Sequence, residues 1–322
     1  MKYLDVDGLG PVSRIGLGTW QFGSREWGYG SAYADRAARD IVRRARELGI
    51  TLFDTAEIYG FGRSERILGE ALGHERGEVV VASKVFPLAP FPPIVRQRCA
   101  RSAARLGLDR IPLYQVHQPN PVVPDSVIMP GLRQLLDEGR IGAVGVSNYS
   151  LARWRQADTA LGRPVVSNQV QFSVAHAAPL EDLVPFAERE NRLVIAYSPL
   201  AQGLLGGRYD AGHRPGGVRA VNPLFGTENL RRVTPLLDLL RDVAATHQAK
   251  PAQVALAWLV ALPRVVVIPG ASSVEQLEFN AAASEISLTA AENDELTAAA
   301  RAFTPVSGIQ TLVDGVRERL GV

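Results

Sequence analysis

Ile50-Thr51-Leu52-Phe53-Asp54 is an apolar run that ends on a carboxylate, and Thr55-Ala56-Glu57-Ile58-Tyr59-Gly60 carries it into a glycine-broken loop. A short apolar run of this kind has the pattern of a strand buried on both faces of a parallel sheet. Seven other runs repeat it: Ile15–Gly18, Val79–Lys84, Leu113–His117, Ala143–Val146, Val165–Val170, Leu193–Ala196 and Val265–Ile268. Most are followed by a stretch of helical period, so the chain reads as βα units around a parallel sheet. Eight is the count of a closed (β/α)8 TIM barrel, and 322 residues is an ordinary length for one. No strand leads into G-x-G-x-x-G, which weighs against an open dinucleotide-binding sheet.

Around this frame the rest of the chain falls into place as one domain, 1–322. Residues 1–14 hold Asp7-Gly8 and Gly10-Pro11, turn chemistry that predicts an N-terminal β-hairpin able to plug the bottom of the barrel. Residues 203–226, rich in glycine and arginine, form a long loop between the seventh and eighth strands, and a loop of that length in a compact domain usually serves function. Two helices, about 228–247 and 251–261, then lead to the eighth strand. A tail, 303–322, has the pattern of a short helix near 312–320.

Composition excludes several function classes. A net charge of +2, with both signs interspersed, leaves no basic stripe for a nucleic acid. No apolar run approaches a membrane span, and the start of the chain lacks a signal-peptide core, so a cytoplasmic location is expected. The one cysteine, Cys99, sits in a helical pattern and reads as a structural thiol. Of 35 basic residues only three are lysines: Lys2, Lys84 and Lys250.

Barrel enzymes place their chemistry where the strands end. Asp54, Lys84 and His117 each end a strand run, and Tyr59 lies five residues beyond Asp54. Singly, each has a plain reading as a cap, a solvated strand end, a packed ring or a half-buried aromatic. Lys84 stands out in a chain that writes nearly every cation as arginine, because lysine differs from arginine in being compact and tunable by burial. Together the four make an acid catalyst. An ammonium beside a tyrosine favours the phenolate, a carboxylate holds the ammonium, and a histidine orients a carbonyl.

Asp54-Thr55-Ala56-Glu57-Ile58-Tyr59-Gly60 resembles the signature of the aldo-keto reductase superfamily. So do Gly18-Thr19-Trp20, Gly62-Arg63-Ser64-Glu65, Ser83-Lys84, Tyr114-Gln115-Val116-His117 and Gly145-Val146-Ser147-Asn148-Tyr149, in the family's order. The resemblance spans residues 3 to 300. It implies an oxidoreductase that reduces a small-molecule aldehyde or ketone by hydride transfer from NADPH, with NADH as the competing cofactor. It implies Tyr59 as proton donor, Lys84 and Asp54 as its electrostatic support, and His117 as the group that orients the carbonyl.

The same resemblance implies a cofactor site. Ser147, Asn148 and Gln169 would hold the nicotinamide carboxamide and Tyr197 would stack on its ring, with Thr19 and Trp20 nearby. Ser198, Pro199, Leu200 and Gly203 match the pyrophosphate loop, and Arg208 stands where a lysine is usual. Gly270, Ser272, Gln276 and Asn280 would hold the adenosine end at a helix start, where Ser272 with Glu275 and Ser273 with Gln276 each fit a capping box. Ser272 and Gln276 replace a lysine and an arginine that grip the 2′-phosphate in many members, and Phe279 replaces a common adenine-contacting glutamate. That text resembles the branch containing the potassium-channel β subunits.

Trp20, Trp27, Phe61 and Phe86 form an aromatic rim suited to apolar or amphipathic carbonyl substrates. Three alternatives remain beside the reductase. They are a cofactor-binding regulatory subunit, an NAD-preferring alcohol or sugar dehydrogenase of the same fold, and an unrelated barrel such as a metal or glycoside hydrolase. Only His117 among five histidines ends a strand run, so no metal site is expected.

Overall fold

A computed structural model describes residues 1–23, 32–210, 212–216 and 222–306. Strands β3 (Leu17–Gly18), β4 (Leu52–Asp54), β5 (Val80–Val85), β6 (Ile111–Val116), β7 (Ile141–Ser147), β8 (Ser167–Gln171), β9 (Leu193–Tyr197) and β10 (Val265–Val267) pair in parallel in sequence order. The ring closes between its ends. Ile15 bridges Val267 and Gly18 bridges Gly270, with hydrogen bonds from Gly16 N to Val267 O (2.8 Å) and from Val267 N to Arg14 O (2.9 Å). A Cβ on Gly18 would lie 2.7 Å from the Ile268 carbonyl, so the seam needs a glycine there. The fold is the expected eight-stranded barrel.

The hairpin is present as β1 (Tyr3–Val6) and β2 (Gly10–Ser13), antiparallel across a turn at Asp7-Gly8-Leu9. Its inward residues Val6 and Val12 pack into one cluster with Leu52, Val80, Leu113, Leu193 and Val266 from the barrel interior. That makes it the floor of the barrel. A second and larger cluster lies between the outer face of the sheet and the helices. Because side chains alternate along a strand, the residues that follow the floor layer on the same face come up at the carboxyl ends. Leu52 leads to Asp54, Val80 and Ala82 lead to Lys84, and Leu113 leads to Gln115.

Several boundaries differ from the sequence reading. The first strand shortens to Leu17–Gly18, with Ile15 reduced to a single bridge. The strand carrying His117 runs from Ile111 to Val116, so His117 stands just beyond its end. The long helix expected over 228–247 is two, α7 (Thr227–Arg232) and α8 (Thr234–Thr246), meeting at Val233. Pro235 at the start of α8 lacks the N–H and clashes with the preceding turn, which favours a new helix start. Trp27, the tail helix and parts of the 203–226 loop fall outside the described residues. Cys99 is buried in α3 (Pro92–Leu106), where burial pushes its thiol up to about 12, as befits a packing residue.

Val12→Ala removes a fully buried side chain from the floor. It is expected to lower unfolding stability by about 1–3 kcal/mol in urea titrations. A variant within about 0.3 kcal/mol of the parent would show that the hairpin hangs outside the barrel's cooperative unit.

Candidate active site

Lys84 is fully buried, and its ammonium is the hub of the site. Nζ donates to Asp54 Oδ1 (2.6 Å), to the Thr55 carbonyl (3.0 Å) and to the Tyr59 hydroxyl (3.4 Å), and it lies 5.0 Å from the centroid of the Tyr59 ring. His117 meets that ring edge-on, with centroids 5.6 Å apart, and Phe86 meets His117 at 6.0 Å. The four polar residues singled out from the sequence therefore converge in one place.

Burial is the largest influence on Lys84 and opposes its charge. The charges and hydrogen bonds of Asp54 and Tyr59 outweigh it and hold the ammonium above the ordinary lysine pKa. Tyr59 is pushed above the ordinary phenol value, first by burial and then by Asp54, while Lys84 pulls the other way. The ammonium thus acts in the expected direction, but desolvation exceeds it and the resting hydroxyl keeps its proton. Burial, helped by the Lys84 charge, lowers His117 to about 3, so its ring is neutral at physiological pH.

Two partners of Asp54 escaped the sequence reading in that role. Gln169 Nε2 donates to Asp54 Oδ2 at 2.7 Å and Gln115 Nε2 approaches it at 3.5 Å. Their signal was the alternation that aims β6 and β8 inward at the level of Lys84, visible once the register pairs Lys84 with Gln115. Gln169, expected at the carboxamide, steadies the carboxylate here. Thr19, expected beside the cofactor, is fully buried and bonded within the protein. Its hydroxyl donates to the Asp54 carbonyl (2.9 Å), and its own carbonyl accepts from Ser64 Oγ (2.8 Å).

The other expected cofactor residues line the same barrel face. Ser147 ends β7, and Asn148 follows it with φ at +61°. That left-handed turn is held from behind by Asn168, which donates to the Tyr149 carbonyl at 2.8 Å. Tyr197 ends β9 and donates to Asn148 Oδ1 at 3.0 Å. Ser198, with φ at +50°, starts the turn through Pro199 and Leu200 to Gly203. Non-glycine residues in this region are uncommon and gather at functional sites. Arg208 is exposed, and no ion pair holds it among the described residues.

At the far end, α10 (Val274–Ala282) begins after Ser273, whose hydroxyl caps it by accepting from Gln276 N. Ser272 is not a cap. Its N–H and hydroxyl both donate to Gln276 Oε1, at 2.8 and 2.9 Å, so the Gln276 side chain folds back over the helix start and completes neither expected box. Asn280 is buried and donates weakly to the Gly270 carbonyl, while its Oδ1 has no partner among the described residues. A buried acceptor of this kind fits a polar ligand. Trp20 and Phe61 are exposed at the mouth and Phe86 is half-buried beside His117. Among the described residues no group of three or more acidic, histidine or cysteine side chains is arranged to hold a metal, and no helix is long and apolar enough to cross a membrane.

The sequence profile of the aldo/keto reductase family matches residues 14–301, and the chain belongs to that family. It is 75% identical over 320 residues to an uncharacterized oxidoreductase of Mycobacterium tuberculosis, covering 99% of both chains. It is 32% identical to the NADH-specific methylglyoxal reductase of Escherichia coli, covering 87% of this chain and 92% of that one. Among solved structures it resembles an aldo/keto reductase from Klebsiella pneumoniae in complex with NADP and acetate, with a TM-score of 0.76 at 28% identity over 95% of this chain and 97% of that one.

The His117 environment has a consequence for acid stability. The unfolded chain binds a proton on this residue below about pH 6.5, and the folded protein refuses it until about pH 3. Its stabilising contribution is therefore complete above pH 6.5 and falls as pH drops through that window. Melting temperatures of the parent and a His117→Gln variant, followed from pH 7 to pH 4, should show the parent losing stability more steeply. Parallel curves would place His117 in a wetter setting.

Proposed function

We propose that the protein reduces an aldehyde or ketone to the alcohol, with Tyr59 as general acid and NADPH as the preferred cofactor. The observation that carries this reading is the buried Lys84 ammonium standing between Asp54 and the Tyr59 hydroxyl. Bound NADPH would supply the hydride for the carbonyl carbon. Tyr59 carries its proton at neutral pH and would pass it to the carbonyl oxygen as that oxygen gains charge. The phenolate left behind is stabilised by the ammonium at 3.4 Å, so the interaction strengthens as the reaction proceeds. Asp54 opposes the burial that lowers the Lys84 pKa and so favours the ammonium in a dry setting. His117 is neutral and would orient the carbonyl through a hydrogen bond.

For the cofactor, Ser147, Asn148 and Gln169 would take the carboxamide, Tyr197 would cover one ring face, and Ser198–Gly203 with Arg208 would hold the pyrophosphate. Ser272, Gln276 and Asn280 would take the adenosine end. Among the described residues the Oδ1 of Asn280 has no partner and no ion pair holds Arg208, which suits that assignment. NADPH is supported by the Klebsiella pneumoniae structure, solved with NADP. The relative named NADH-specific makes NADH the competitor to test. A purely regulatory subunit would not require the buried Tyr59–Lys84–Asp54 set.

Tyr59→Phe removes only the hydroxyl. Turnover with an aldehyde panel, followed as NADPH consumption, should fall by about three powers of ten while the cofactor Kd stays within about twofold. Retention of more than about a tenth of parental turnover would assign the proton to another group.

Cofactor choice rests on the helix start. Neutral groups hold a dianion less strongly than cations do, and here Gln276 must also leave Ser272 before a 2′-phosphate can reach it. The parent should bind NADPH over NADH by a modest margin, and Ser272→Lys should widen that margin by about tenfold. Fluorescence titration of each cofactor gives the ratio. Tighter NADH binding by the parent would overturn the NADPH assignment, and an unchanged ratio in the variant would move the phosphate elsewhere.

A further inference from the structure

The loops that follow β5 and β6 form a wall of which the mechanism uses only His117. From Val85 to Val95 the chain reads Val-Phe-Pro-Leu-Ala-Pro-Phe-Pro-Pro-Ile-Val, with no charged residue and four prolines. From Val116 to Pro124 the only titratable side chain is His117, and three more prolines stiffen the segment. Among the described residues every exposed large apolar side chain except Tyr3 lies on a loop after a barrel strand. Leu88, Phe91 and Val122, at 71%, 53% and 85% exposure, belong to these two loops.

The wall is built rather than loose. Three successive backbone groups are each held by a side chain from a different element. Glu57 accepts from Phe86 N (2.6 Å), Asn120 Nδ2 donates to the Pro87 carbonyl (2.8 Å), and Arg98 Nη1 donates to the Leu88 carbonyl (2.8 Å). Arg98 also pairs with Glu57, and Asn120 Oδ1 accepts from Val122 N and Val123 N, which ties the second loop to the first. The polar atoms of these side chains are thereby occupied within the protein. Gln118 is the one other polar side chain on the two segments beside His117.

The wall also runs into the reaction site, because Phe86 at its inner end stands edge-on to His117. We infer that this wall receives the alkyl tail of the substrate, and that the preferred substrates are medium- to long-chain aliphatic carbonyl compounds rather than small or polyhydroxylated ones. The inference rests on the carbonyl-reductase reading. A carbonyl held by Tyr59 and His117 places the next carbons against Phe86, and a chain long enough continues past Leu88 toward Phe91. A sugar laid along the same path would leave its hydroxyls facing carbon, which is unfavourable.

The test is kcat/KM for straight alkanals from butanal to decanal, in the parent and in Leu88→Asp. A methylene fully removed from water is worth about fourfold, so one lying against a half-open wall should give about twofold. The parent should gain about fiftyfold across the series, and Leu88→Asp should lower decanal at least about tenfold more than butanal. A rise below about fivefold, or an equal effect of the variant on both ends, overturns the tail assignment while leaving the reductase intact. A flat series together with a parent dimer that Leu88→Asp dissolves would give the wall to a second copy of the chain and likewise overturn it.

If no alkanal of any length is reduced, the proposed function fails instead. Calorimetric titration of 1-decanol into the protein with NADP+ then decides the wall by itself. Binding weakened by Leu88→Asp supports it, and no binding to the parent overturns it.

Discussion

The ion pair between Lys84 and Asp54 is the contact around which the upper half of the barrel is arranged. Two opposite charges taken out of water are costly to desolvate, and they persist only where their remaining hydrogen-bonding capacity is satisfied. Here the Thr55 carbonyl and the Tyr59 hydroxyl complete the ammonium, while Gln169 and Gln115 attend the second carboxylate oxygen. The partners come from β4, β5, β6 and β8, so the pair ties separate strands at one level. Below it the interior is apolar down to the hairpin floor apart from Ser167, which lies level with Leu193 in the β8–β9 register. The barrel thus has a polar layer only where its strands end, which is where the fold leaves room for chemistry.

Around this pair lies a shell that makes no contact with a reacting group and yet fixes those that would. Ser64 gathers the hydroxyls of Thr19 and Thr55 behind Asp54, at 2.8 and 3.0 Å. Asp125 accepts from the Tyr149 hydroxyl (2.7 Å) and from Arg153, which steadies the turn on which Asn148 sits. Such shells explain why the left-handed backbone at Asn148 and Ser198 can persist, since a strained residue survives only where its neighbours determine it.

Much of the fold was legible because its signals are local. Strand runs, the Asp7-Gly8 turn and the polar residue at each strand end follow from the identities of neighbouring residues. Asp54, Lys84 and His117 were legible for the same reason, each being the last or nearly the last residue of its run, and Tyr59 by its place five residues beyond Asp54. The partners of Asp54 were not, because Gln115 and Gln169 acquire that role from register and barrel closure, which no window of sequence contains. Ser272 and Gln276 show the same limit at smaller scale. Two overlapping capping boxes fit the text equally well, and the structure uses Ser273 as the cap while Gln276 turns back to Ser272. The break between α7 and α8 was written in Pro235, and the helical period on both sides concealed it.

The seam between the first and last barrel strands bears on how the protein comes into being. Gln21 reaches across it to the Ala271 carbonyl, a hydrogen bond between residues 250 apart in sequence. The strands between them can pair one after another as the chain lengthens, each with the neighbour just made. The ring itself cannot shut until the residues around Gly270 exist, and loop closure over such a span comes late and slowly. During synthesis the chain therefore carries an open sheet with two free edges for most of its length, the kind of surface on which other chains pair wrongly. The helix start at Ser273 is delivered by the same closing event. The proposed adenosine end of the site is born last, with the completed ring.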